Sequence, residues 1–238
     1  MTGQEFLDKI KDQLACDLLA NKTIKAFTTN SDLIGAFAEA TVRQLVHRMV
    51  APLRVSRGTI IYEGNCAQQT PEIDAIIWAP CPLPALFEIG EFAVVPRHSA
   101  FAFLEIKRSN YKRSGGRIRQ VLSKERELLP YRLKDQEGRD VPQALAVICL
   151  LMRENRDPDV DQLIKENNAV ALVKEEEDGT LTPDGNAIYT LVNFLAQVRS
   201  FAKLIDGSLN IVYPPQPLSG QVAPLTTAQQ VPLGVQRP

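Results

Sequence analysis

Ala100-Phe101-Ala102-Phe103-Leu104-Glu105-Ile106-Lys107 is an apolar run that ends in two opposite charges. Aromatic and aliphatic residues in such a run favour a strand. Side chains alternate along a strand, so Glu105 and Lys107 share one face and Ile106 takes the other. A carboxylate and an ammonium at the rim of a core are costly to desolvate unless they are paired or hold something. An isolated Glu-x-Lys is more often a strand-end salt bridge than a site, so its meaning depends on what else the chain brings to it.

Upstream, Glu72-Ile73-Asp74-Ala75-Ile76-Ile77-Trp78 is a second apolar stretch, interrupted at its start by Asp74. If the two strands pair antiparallel through the connection at 79–90, Asp74 and Glu105 end side by side. Two adjacent carboxylates repel unless a cation lies between them. A cation held by carboxylate oxygens is hard, hence Mg²⁺ or Mn²⁺. The bland alternative is a strand-edge acid. A third acid, Glu39, lies inside an amphipathic stretch that begins at Ser31 or Asp32 as N-cap and runs to Met49, ahead of Pro52. Gly35, Glu39 and Arg43 fall on one stripe of that helix, which faces either a shared polar cleft or solvent.

The remaining patterns fill in an α/β domain. Phe6, Leu7, Ile10, Leu14 and Leu18 predict an N-terminal helix over 4–20. Strands are expected at 55–62, 73–78 and 92–95, the last leading into 100–106, as an antiparallel meander. Helical spacing returns over 114–129 and is closed by Pro130. The unbroken apolar run at 144–151 suits a central strand buried on both faces. A short helix within 154–166, a strand at 169–173 and a strong amphipathic helix over 186–204 follow. From about Pro214 the chain is rich in Pro, Gln, Gly and Thr without periodicity and reads as a flexible tail. The organisation expected is a helical segment at 1–30, a domain at 31–212 and a tail at 213–238.

Helix Glu39, strand Asp74 and strand Glu105-x-Lys107, in this order, resemble the PD-(D/E)XK nuclease superfamily. The likeness is closer to bacterial domains of that superfamily with a Gly-x-x-x-Glu helix, a Gln-or-similar-x-Asp strand start and a hydrophobic strand ending in Glu-x-Lys. Here these are Gly35 to Glu39, Glu72 to Asp74, and Glu105 to Lys107, and the likeness covers residues 31–151. Glu72 is a departure, since many relatives carry glutamine there.

The resemblance implies a restriction-endonuclease-like core: a mixed sheet of an antiparallel meander plus a parallel crossover strand, flanked by helices. It implies that Asp74 and Glu105 hold Mg²⁺ or Mn²⁺, that Glu39 completes the metal shell, and that Lys107 orients or activates the attacking water. It also places Gln120 near the site. The activity implied is metal-dependent phosphodiester hydrolysis of nucleic acid, DNA foremost. A catalytically inactive fold that binds nucleic acid or protein is the alternative reading.

Arg108, Lys112, Arg113, Arg117 and Arg119 crowd the segment directly after Lys107, with Tyr111 among them. Such a run can lead a phosphate backbone to the site, and the Ser114-Gly115-Gly116 turn can expose amides to a phosphate. A solvated helix face is the other reading. The local run matters because the formal net charge of −1 gives no global attraction to nucleic acid.

The four cysteines form no CxxC pair and only two histidines are present, which argues against a structural zinc site. The start of the chain lacks the basic flank and apolar core of a signal peptide, and no apolar run approaches a membrane span, so a cytoplasmic location is expected. A homodimer and a protein partner recruited by the tail both remain open.

Overall fold

The computed structural model describes residues 5, 8–13, 16–18, 28–62, 71–111, 113–134, 138–154 and 156–207, the side chains of 203–207 apart. The expected tail, much of the expected N-terminal helix and Lys112 lie outside these. Those residues of 5–18 that are described are helical, and Leu18 is fully buried.

Helix α1 (Ser31–Val50) is capped by Asn30, one residue ahead of the two candidates. The Asn30 side-chain oxygen accepts the Asp32 and Leu33 amides at 3.0 and 3.3 Å, which satisfies donors that a first turn otherwise leaves open. Ala38, Val42, Val46 and Val50 form its buried stripe.

The strands that follow are β1 (Arg54–Ile61), β2 (Ile73–Trp78), β3 (Phe87–Ile89), β4 (Phe92–Pro96) and β5 (Ala100–Ser109). The expected meander is correct for three of them: β2 lies between β1 and β5, antiparallel to both. It fails for β4, which leads into β5 along the chain but does not pair with it. The hairpin of β3 and β4 crosses to the far side of β1, and β4 pairs parallel with β1. Two features permit this. A single 3-10 turn at Arg97–Ser99 redirects the chain between β4 and β5. Gly58, at φ +140°, lets the Ala93 carbonyl approach so closely that a Cβ would lie 2.0 Å from its oxygen.

The helix expected over 114–129 is two helices, α2 (Ser114–Leu122) and α3 (Glu125–Leu128). The break falls at Ser123 and Lys124. The Ser123 hydroxyl donates to the Gln120 carbonyl at 2.8 Å and the Lys124 amide reaches back only to Val121, a local competition typical of serine. A small ribbon of β6 (Leu133–Lys134) and β7 (Asp140–Val141) precedes β8 (Ala144–Leu151), which is buried at every position. Then come α4 (Pro158–Lys165), β9 (Ala169–Glu175), a short β10 (Leu181–Pro183) absent from the sequence reading, and α5 (Gly185–Gly207).

The eight-stranded sheet has the order β10-β9-β8-β5-β2-β1-β4-β3. Strands β5, β8 and β9 are mutually parallel, so there are two parallel crossovers rather than the one expected. Helices α1 and α5 cover one face, where Val42, Val46, Leu104, Val147, Leu172 and Leu195 share a core. Helices α2 and α4 cover the other, where Ile118, Val160 and Leu163 meet Ala146, Ile148 and Ala171. The molecule is a mixed α/β sheet flanked by helices. No helix among the described residues is long and apolar enough to cross a membrane.

Candidate active site

Across the β2–β5 ladder Ala75 pairs with Leu104, so one step further on Asp74 stands level with Glu105. The register with β8 sets Glu105 beside Ala146 and Lys107 beside Ile148, two residues of the core beneath α2. The pair therefore projects from the α2 face of the sheet.

The Asp74 carboxylate extends the ladder with a side chain: its Oδ2 accepts the Ile106 N–H at 2.7 Å. The same oxygen lies 3.2 Å from Lys107 Nζ. Lys107 Nζ also approaches Glu105 Oε1 at 2.6 Å and donates to the Ile106 carbonyl at 3.2 Å. Glu105 is only 1% exposed and its Oε2, fully buried, has no hydrogen-bond partner.

Burial, and after it the Asp74 carboxylate, push the Glu105 carboxyl up to about 6, while Lys107 and Arg117 pull the other way. For Lys107 burial favours the neutral amine, yet Asp74 and Glu105 together outweigh it and hold the ammonium above its ordinary value. Lys107 is thus a fixed cation at neutral pH, not a base.

Glu39 adjoins this cluster from α1. Burial first, then Asp74, raise its carboxyl, and Arg43 at 3.7 Å acts against them. Arg43 is the residue that the sequence reading undervalued. It is 6% exposed, and its guanidinium donates to the Asp74 backbone carbonyl at 3.1 Å and to Glu91 at 2.9 Å. It fastens α1 to the start of β2 and so fixes where Asp74 begins. The spacing of Glu39 to Arg43 pointed to it, whereas nothing in the sequence pointed to Glu91.

The basic run does not act as one surface. Strand alternation turns Arg108 to the side opposite Lys107, and Arg119 is paired with Glu166 at 3.2 Å. Arg113, Arg117 and Gln120 are exposed, and Arg117 is near enough to influence Glu105. Lys112 is outside the described residues. The Ser114-Gly115-Gly116 turn is not an open amide cradle, because the Ser114 N–H goes to the Tyr111 carbonyl and the Gly115 N–H to buried Asp157 at 2.9 Å. Gly115 instead allows α2 to touch α4: a Cβ there would meet Asp159 Cβ at 2.3 Å.

Among the described residues, no three Asp, Glu, His or Cys groups are set as a ready metal cage. Asp74 and Glu105 share the Lys107 ammonium instead. Their donor set nevertheless suits a hard divalent ion, since both are carboxylates and one buried oxygen of Glu105 is unpartnered. Mg²⁺ commonly takes one or two protein carboxylates and keeps several waters, so Asp74 and Glu105 fit such an ion, with Glu39 at the rim.

No family model matches the chain, and no curated protein sequence does. Similar solved structures exist. NucC of E. coli MS115-1 in its cAAA-bound form superposes with a TM-score of 0.53 at 12% identity, over 84% of this chain and 91% of that one. NucC of P. aeruginosa ATCC27853, also cAAA-bound, gives 0.51 at 13% identity, over 84% and 92%. The fold expected from Glu39, Asp74 and Glu105-x-Lys107 is the fold found: this chain has the restriction-endonuclease-like architecture, a mixed sheet flanked by helices, that it shares with those NucC structures.

Proposed function

We propose that the chain hydrolyses phosphodiester bonds in nucleic acid, DNA foremost, at a Mg²⁺ or Mn²⁺ ion held by Asp74 and Glu105, with Glu39 completing the set. The observation that carries this reading is the meeting of Asp74 and Glu105 from separate strands on one ammonium, with a buried Glu105 oxygen left unpartnered. When bound, such an ion supplies a hydroxide equivalent, a clamp on the non-bridging oxygens and help for the leaving oxygen. The protein's own groups do the rest. The Ile106 amide and the Arg43 guanidinium hold Asp74 in place. Lys107 keeps its proton, so it donates to water or to a phosphate oxygen, where negative charge grows in the transition state. Arg117, near enough to act on Glu105, and exposed Arg113 at the start of α2 present positive charge for the approaching backbone. The restriction-endonuclease-like fold shared with the NucC structures accords with this chemistry.

One observation favours the second reading, a fold that grips nucleic acid without cutting it: Lys107 already bridges both carboxylates. The two readings part in one experiment. Wild type, Glu105→Ala and Lys107→Ala are incubated with single- and double-stranded DNA and RNA plus Mg²⁺ or Mn²⁺. The nuclease reading expects cleavage by wild type and a loss of about 100-fold or more in either variant. Persistent cleavage by both variants removes these residues from catalysis, and wild type that binds without cutting supports the second reading.

A further inference from the structure

At the carboxyl ends of the parallel strands β5, β8 and β9 lies a cavity of about 140 Å³, lined by Arg108, Ser109, Tyr111, Met152, Glu175 and Leu181. Such strand ends are the customary place for ligands in α/β sheets. Two of the lining residues carry a buried polar atom without a hydrogen-bond partner, Nε of Arg108 and Oγ of Ser109, and Ser109 is only 6% exposed. Unmet buried groups of this kind call for an explanation. No ion pair joins Arg108 to Glu175 among the described residues, although both line the cavity. Glu175 is anchored by accepting the Arg153 N–H at 2.8 Å. Tyr111, also among the lining residues, is 48% exposed.

A carboxylate in the cavity disfavours a simple anion, and a guanidinium disfavours a simple cation. A planar neutral group with acceptors on one edge and donors on the next satisfies both. Its flat faces suit Tyr111, and its ring atoms suit Met152 and Leu181. Guanine has this pattern: O6 and N7 accept from arginine, while the N1 and N2 hydrogens can donate to a carboxylate. The volume is below the roughly 300 Å³ of ordinary ligand pockets, so it takes one ring system and not a whole nucleotide.

We infer that this cavity binds a single guanine base. Arg108 follows Lys107 on β5 but faces the other side of the sheet, with Leu150, Met152 and Leu181 of the α1–α5 core, so the cavity lies across the sheet from the acidic cluster. If the proposed nuclease reading holds, the base belongs to the bound strand at a point away from the scissile position. That placement rests on the nuclease reading, whereas the base-binding cavity does not.

The test is calorimetric binding in EDTA, where cleavage plays no part, with GMP, IMP, AMP and 7-deaza-GMP, and with short single-stranded oligonucleotides carrying one guanine or one hypoxanthine. GMP should bind about tenfold more tightly than IMP, which lacks the N2 amino group, and than 7-deaza-GMP, which lacks N7. Glu175→Gln should erase the discrimination against IMP and Arg108→Met that against 7-deaza-GMP. Ser109→Ala, which removes only a hydroxyl, should weaken GMP about threefold and serves if Arg108→Met fails to fold. Discrimination seen with oligonucleotides alone assigns the base to a strand, and discrimination with free GMP assigns it to a nucleotide. Equal binding of all ligands in both formats, or discrimination untouched by the variants, overturns the inference. Loss of cleavage in Glu105→Ala tests the nuclease reading separately.

Discussion

Glu105→Gln should make the protein more stable at neutral pH while abolishing its hold on a divalent ion. Glu105 is 1% exposed, and the push on its carboxyl comes first from burial and next from Asp74. Its ordinary value is 4.5 and its folded value about 6, so the folded state binds this proton more tightly than the unfolded chain does. The contribution of Glu105 to stability is then fully present below about pH 4.5. It declines as pH rises towards 6, and above that the fold is weaker by the whole difference, about 2 kcal/mol. Glutamine has the shape of the protonated acid and does not titrate. In EDTA the variant should match wild type near pH 4.5 and exceed it by up to about 2 kcal/mol at pH 7.5, as read by urea unfolding at several pH values. Saturating Mg²⁺ should reverse the order, because a ligand at 100 times its Kd stabilises by about 2.7 kcal/mol and only wild type should bind it. A variant equally destabilised at pH 4.5 and pH 7.5 would refute the idea that Glu105 is a carboxylate held under strain for a cation.

Gly58→Ala should destabilise by about 3 kcal/mol or more, since its Cβ would meet the Ala93 carbonyl at 2.0 Å in a backbone conformation that L residues avoid; calorimetric melting checks this, and an unchanged Tm would contradict the β1–β4 pairing. Arg113→Ala with Arg117→Ala should weaken duplex DNA binding in EDTA and reduce its log–log salt slope by about 1.8, at roughly 0.9 per phosphate contact. Anisotropy titrations between 50 and 200 mM salt measure it, and an unaltered slope would place the backbone elsewhere. Burial pushes the Cys149 thiol up to about 12, so a thiol reagent should label exposed Cys81 and Cys16 in the native protein and spare Cys149 until it unfolds. Prompt labelling of Cys149 would mean that β8 is open to solvent.

Where one structural level decided an element, the sequence revealed it. Strand β8 is apolar throughout because helices cover both its faces, and α1 and α5 declare themselves by their buried stripes. That Glu105 and Lys107 share a face of β5 was legible because side chains alternate along a strand, whereas their grouping with Asp74 of β2 as a site was what the resemblance implied. Elements set by tertiary contact were not legible. Three residues cannot display a period, so β3 and β10 were missed. The placement of β4 against β1 depends on a glycine contact 35 residues away in sequence, Gly58 with Ala93. The break between α2 and α3 depends on a serine hydroxyl turned back on its own helix. Among the candidate nucleic-acid contacts, alternation could already have separated Arg108 from Lys107. The pairing of Arg119 with Glu166 could not be foreseen, because it needs α4 folded beside α2.

Mn²⁺ titration followed by electron paramagnetic resonance reads the metal site without requiring any substrate. At pH 7.5 the account predicts saturable binding to wild type, strongly weakened in Asp74→Asn and in Glu105→Gln, and restored to neither by excess nucleic acid. Undiminished Mn²⁺ binding in both variants would mean that these two carboxylates serve Lys107 alone, and the proposed hydrolytic centre would have to be given up.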